Sequence, residues 1–474
     1  MRSLLVTKTT PERWLIAVAG TTAEHRVIVS IAGAILLQSA NEIPHQLFES
    51  VIGPVALLLP FCFTGFSLAL AAYAFLTAAN ALKPTRFLIN RRAVIILVIV
   101  LFTAATFGVY GVTFMMKNSF SSAPLYSNDG TTIDQSAAIT LLNGKDPYGG
   151  VNIITAMHAL GQSGEFTTPL RQGPFQKNNW LDYPSPQTLN QLVVRQEQSV
   201  APVTAGIETQ VSYPAGAFLW VLPLAWLKFP SVVLVSVLAL LVFAAIALKS
   251  VGAEHRPWIA LLFLADLPLL YAAGVGSLDV IMIALTAIFW IMWKKPYIST
   301  IALGLALATK QQAIFFAIFF AIFLFYQIGL QKTLLRIAAA SALFLALNAP
   351  FIIWNPAAWL SGNMAPITDP MFPLGSGLIA LSAARLLPLF SQHVYTILEF
   401  AAFAAAIYWY FRIGAQKYPA MGFLLAMAPF WFAWRSLPSY FEFFALPALV
   451  FWLAQQVRGK ADALRAVTPA ISEG

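Results

Sequence analysis

The sequence predicts an all-α integral membrane protein: a bundle of about 11 to 13 transmembrane helices with one large external loop carrying surface helices. Three observations lead there. Of the 474 residues, 59% are hydrophobic and only 10% are charged, and the mean hydropathy is +0.75; a soluble domain is roughly a quarter charged. Apolar runs of near-spanning length recur along most of the chain. A single long segment, Lys117 to Tyr213, contains none.

Taken in order, residues 1–92 read as an N-terminal tail and two extra transmembrane helices, Val27–Ser39 and Val51–Ala79. The stretch Trp14–Gly20 is too short, and too soon followed by Glu24, His25 and Arg26, for a cleavable leader. Residues 93–456 read as the main transmembrane module, opening with Ala93–Met115, and 457–474 as a cytoplasmic tail. Five basic groups (Lys83 to Arg92, Lys294/Lys295, Lys332/Arg336, Arg412/Lys417 and Arg458 to Arg465) all read as cytoplasmic. Strict alternation cannot satisfy all five. The simplest repair makes Ala215–Leu227 a half-span and Leu374–Phe390 a partial or surface helix. The segment 117–213 then faces outward, with Ala137–Leu142 and Ile153–Leu160 as surface helices.

The net charge of +9 comes from cations scattered beside apolar runs, as loops near anionic headgroups require, and does not point to nucleic acid. Cys62 is the only cysteine, which excludes an intramolecular disulfide. No His-Glu-x-x-His, Asp-x-Asp, paired Cys-x-x-Cys or Gly-x-x-x-x-Gly-Lys pattern occurs, so no metal and no nucleotide cofactor is expected.

The candidate chemistry gathers on the outer side. In "YSNDGTTIDQSAAITLLNGKDPYGG", Tyr126 to Gly150, acids follow directly on a spanning run. Asp129 reads equally as a general base for an interfacial hydroxyl and as a solvated loop acid. Asp134, just before an apolar helical run, reads better as a helix cap, with base as its other role. Lys310, with Gln311 beside it in "LATKQQAIFF", is either snorkelling or meeting an anion such as a phosphate. In "WRSLPSYFEFF", Arg435 and Tyr440 stand at a break between spans, and Arg435 either grips phosphate or pairs with Glu442. Asp266 is an acid inside an apolar run, a functional suspect unless a buried lysine pairs with it. Asp279 reads as a cap, His158 as structural. Arg171 and Trp180 could meet sugar or phosphate, though solvated loop residues are the simpler reading.

The order of these pieces resembles the GT-C superfamily of polyprenyl-phosphate-sugar glycosyltransferases, nearest the subgroup of bacterial polyprenol-phosphate-mannose-dependent mannosyltransferases. The likeness runs from about Ala93 to Leu453. It lies in the external Asp after a span, then Leu141, Gly144, Pro147 and Tyr148 as Leu-x-x-Gly-x-x-Pro-Tyr, then Tyr213-Pro214. Farther on come "GVGSLDVIMIALTAIFW", with Gly276 or Ser277 where the subgroup has Gln, and "GLALATKQQAIFF", which carries Lys310. The resemblance implies a GT-C-like bundle in the cell membrane that moves mannose or another sugar, with inversion, from a polyprenyl-phosphate donor. The acceptor would be an extracytoplasmic lipid or glycan. It implies Asp129 or Asp134 as base, with Lys310, Arg435, Arg171, Tyr148, Gln311 and Tyr440 at substrate or phosphate. The expected partners are membrane lipids, the lipid-linked donor as co-substrate, and the acceptor. A polytopic transporter or flippase is the other class that the composition allows.

Overall fold

The computed structural model describes residues 23–41, 58–79, 91–197 and 206–467. The stretch Trp14–Gly20, the cations Lys83 and Arg86, the start of the Val51–Ala79 run and the end of the C-terminal tail lie outside the described residues, as do the side chains of Arg91, Lys460 and Arg465. The described chain is helical almost throughout, with one two-residue parallel pairing.

Three long helices come first: α1 (Ala23–Asn41), α2 (Leu59–Ala78) and α3 (Arg91–Ser119). The polar segment then supplies α4 (Asp129–Leu142), α5 (Ile153–Ala159) and α6 (Pro186–Glu197), so its apolar stretches are helical as expected. The remainder is α7 (Gly216–Trp226), α8 (Val233–Ser250), α9 (Arg256–Ala265), α10 (Leu267–Gly274), α11 (Leu278–Ile291), α12 (Pro296–Thr309), α13 (Ala313–Ile328), α14 (Leu330–Trp354), α15 (Pro356–Thr368), α16 (Gln392–Trp409) and α17 (Ala445–Val467). Six helices are long and apolar enough to cross a membrane, or seven if α9 and α10, bent by 63° at their junction, count as one. Shorter apolar helices lie between them.

Local chemistry explains the breaks. At the α9–α10 bend Pro268 removes a helical donor, and the Asp266 side chain accepts from Leu269 N at 3.3 Å. Asp266 therefore caps the second half of a broken helix, and no lysine among the described residues pairs with it. The run Leu374–Phe390 yields only strand β1 (Leu374–Gly375) and a five-residue helix, Ile379–Ala383. Strand β1 lies parallel to β2 (Arg435–Ser436).

Close helix contacts depend on missing side chains. A Cβ on Gly108 of α3 would collide with the Leu264 carbonyl of α9, whereas one on Gly111 would meet Leu270 Cβ at an ordinary 3.5 Å. Gly108→Ala is expected to lower thermal stability in detergent by about 1–3 kcal/mol, and Gly111→Ala to be tolerated. Equal melting temperatures for the two variants would contradict this packing.

The bundle has two chemically different ends, and α11 reaches both. Near its last turn, Arg336 Nη1 donates to Trp293 O and Arg458 Nη2 donates to Ile291 O, each at 2.6 Å. At its first turn the polar segment docks instead: Asn118 Nδ2 donates to Gly274 O at 2.7 Å, and Thr131 Oγ1 to Gly276 O at 3.0 Å. Helix α7 begins against the Ala308 carbonyl at the end of α12, and the chain after it returns to the polar segment, where Gln135 Nε2 donates to Pro230 O at 3.3 Å and Val232 N to the Tyr126 hydroxyl at 3.1 Å.

Candidate functional site

Asn128 sets the start of α4. Its side chain accepts from Thr131 N at 2.7 Å, which puts Asp129 in the first turn, where helix dipoles favour a negative charge. Asp129 is half-buried, and its Oδ2 accepts a hydrogen bond from Thr168 Oγ1 at 2.6 Å. Asp129 lines a cavity of about 590 Å³ roofed by parts of the polar segment and walled by helix ends.

Asp134 corrects its sequence reading. The helix begins five residues earlier, so Asp134 caps nothing. It is wholly buried on the inner face of α4, and neither carboxyl oxygen has a hydrogen-bond partner. Desolvation raises its carboxyl well above the ordinary range, opposed by Lys310 and reinforced by Asp129. A carboxyl so held is disfavoured in the charged form that a general base needs. It also does not line the cavity. Asp146 is the cap of this region, accepting from Tyr148 N and Gly149 N, each at 3.0 Å.

Lys310 sits where α12 stops and α13 has not begun, in extended backbone, and is 6% exposed. It does not snorkel. Its Nζ lies 2.6 Å from Asp279 Oδ1, and 5.4 Å from the centre of the Tyr213 ring. Asp279 in turn is not the cap of α11: Ser277 is, its hydroxyl accepting from Asp279 N at 3.2 Å and donating to Asp279 Oδ2 at 3.1 Å. An isolated charge at membrane depth is costly, and the pair offsets that cost. Both residues line the cavity.

Arg435 enters the same cavity from β2. Pairing with β1 fixes its backbone, and its Nη1 donates to Phe372 O at 3.2 Å. No carboxylate among the described residues, Glu442 included, forms an ion pair with it. Its charge thus lacks the carboxylate counterpart that Lys310 has. Tyr440 and Gln311 also line the cavity, Gln311 with its Nε2 spent on Ser212 O at 2.6 Å.

Two expected substrate contacts lie elsewhere. Tyr148 is buried among Phe218 and Phe351, its hydroxyl donating to Tyr213 O at 2.8 Å. It braces the floor of the polar segment. Arg171 stacks 4.6 Å over the Trp180 ring and donates from Nε to Asn178 O at 2.7 Å, outside the cavity lining. Exposed polar surface made it look available, but its flat guanidinium found an aromatic face in its own loop.

Sequence reasoning missed Thr168, Glu208 and Glu399, all in the lining, because nothing around them marks a site. Glu208 is 4% exposed, with Oε1 accepting from Gln210 N at 3.1 Å. Burial, then Asp369 beside it, pushes its carboxyl from 4.5 up to about 8. The folded chain then holds a proton that the unfolded chain releases between those values, so folding stability falls as pH rises from 4.5 to about 8. Glu208→Gln is expected to flatten that slope in thermal unfolding measured in detergent across pH 5 to 9, and an unaltered slope would refute the assignment. Among the described residues no group of three His, Cys, Asp or Glu is placed to hold a metal ion.

No protein-family model, no curated protein and no solved structure matches this chain.

Proposed function

We propose that this chain is an inverting membrane glycosyltransferase of GT-C-like architecture. It moves mannose or another hexose or pentose from a polyprenyl-phosphate donor to an extracytoplasmic lipid or glycan acceptor. The observation that carries the reading is one cavity lined by the Asp129 carboxylate, by Lys310 and by Arg435, with apolar residues such as Pro268, Phe400 and Phe403 along its walls. Acid and cations in one pocket suit a reaction that makes a nucleophile at one point and an anionic leaving group at another.

In this reading Asp129 takes the proton of an acceptor hydroxyl. The hydroxyl oxygen forms its bond to the anomeric carbon from the face opposite the phosphate, and the sugar–phosphate C–O bond breaks. Its electron pair leaves on the polyprenyl phosphate. Arg435 meets that charge as a planar two-pronged donor. Lys310, whose charge is already balanced by Asp279, contributes its remaining N–H donors. The apolar walls accept the isoprenoid tail. Gln392, Thr396 and Glu399, on one face of α16, offer hydroxyl-binding groups to the acceptor. Six described helices, or seven if the bent pair is one span, are long and apolar enough to form such a membrane bundle. The basic end faces the cytoplasm by the positive-inside bias, which puts the cavity outside the cell membrane.

The transporter reading draws on one observation, the broken helix at Asp266, since carriers use interrupted helices with polar groups at the break. Membrane vesicles containing the protein, given radiolabelled polyprenyl-phosphate mannose, arabinose or glucose, separate the two. Label appearing in a new glycoside supports transfer. Label crossing the membrane unchanged supports transport and ends the transferase reading.

A further inference from the structure

We propose that Thr168 is a positioning residue for the Asp129 carboxylate, an inference that rests on the transferase reading above. The two residues are 39 apart in sequence, yet Thr168 Oγ1 donates to Asp129 Oδ2 at 2.6 Å, and both line the cavity. A hydroxyl on a flexible loop would hold nothing. Thr168 is instead pinned on both sides: Glu208 N donates to Thr168 O at 2.8 Å, Leu170 N to Gly206 O at 2.9 Å, and Arg171 N to Pro370 O at 2.8 Å. Isolated antiparallel bridges join Pro169 to Ile207 and Leu170 to Met371. The strap carrying Thr168 is therefore tied to a second segment of the roof and to the chain leading out of α15.

The consequence is stereochemical. Thr168 occupies Oδ2 and leaves Oδ1 as the basic oxygen. It also restrains rotation of the carboxylate in a cavity that Arg435 and Lys310 line as well. The other groups acting on this region are acidic or phenolic: Asp134, Glu208, Tyr183 and Tyr213 each sense the Asp129 charge.

The test compares wild type, Thr168→Val, Thr168→Ser and Asp129→Asn in membrane vesicles supplied with radiolabelled polyprenyl-phosphate mannose, arabinose and glucose, with kcat and donor KM followed from pH 5 to 9. Thr168→Val is expected to lower kcat about tenfold with donor KM little altered. Thr168→Ser keeps the hydroxyl and is expected to retain the wild-type kcat. A Thr168→Val kcat like wild type overturns the proposal, as does a loss that serine does not rescue; either would leave Thr168 as a roof contact alone. No transfer by wild type, or normal transfer by Asp129→Asn, instead brings down the transferase reading itself.

Discussion

Asp129→Asn is expected to lower sugar transfer by about a hundredfold to ten-thousandfold, the range that a positioned general base supplies. The substitution is nearly isosteric, and the amide oxygen can still accept from Thr168 Oγ1, so the roof strap and the first turn of α4 keep their contacts. What disappears is the capacity to take a proton. Melting temperature and membrane insertion should therefore stay near wild type while transfer collapses. Asp134→Asn is the matched control. It alters a buried side chain of the same helix that lines no part of the cavity, and is expected to leave transfer little changed. The reverse pattern, a dead Asp134→Asn beside an active Asp129→Asn, would move the base into the helix interior and refute the geometry argued here.

The second large effect concerns the buried pair. Lys310→Met leaves Asp279 as an uncompensated charge in a site that is 8% exposed, and is expected to cost about 3–5 kcal/mol of stability. Asp279→Leu should cost a similar amount by stranding the lysine. Removing both charges in Lys310→Met/Asp279→Leu takes away the desolvation penalty together with the attraction, so much of the lost stability should return. Thermal unfolding of all four proteins in detergent gives the coupling directly. Transfer activity then separates the roles of Lys310. A double variant that is stable but inactive supports a part for the amine at the leaving phosphate. A double variant that is both stable and active would reduce the pair to a clamp between α11 and the α12–α13 junction.

How legible the molecule is from its sequence differs by element. Two helices of the polar segment were readable from their apolar stretches, Ala137–Leu142 within α4 and Ile153–Leu160 at α5, because periodic hydropathy is a local signal. The run Leu374–Phe390 was readable as too broken for one long helix, and it holds only a two-residue strand and a five-residue helix. The role of Asp134 was not readable. A cap and a buried helical acid differ by where the helix starts, and Asn128, one residue before Asp129, had already taken the capping position. Lys310 was recognisable as a cation needing a partner, but Asp279 looked self-sufficient as a cap because Ser277 was not weighed for that place.

By itself, the sequence determined the apolar character, the succession of helices and breaks, and the separation of a polar acidic segment from basic ends. These follow from hydropathy and from signals within a turn or two of each residue. Tertiary structure alone decided which charges meet: Lys310 with Asp279 across 31 residues, Asp129 with Thr168 across 39, and Arg435 with the Phe372 carbonyl across 63. The reason is physical. A charge taken out of water must be satisfied by whatever group the packed bundle brings within about 3 Å, and that neighbour is chosen by helix packing rather than by chain order.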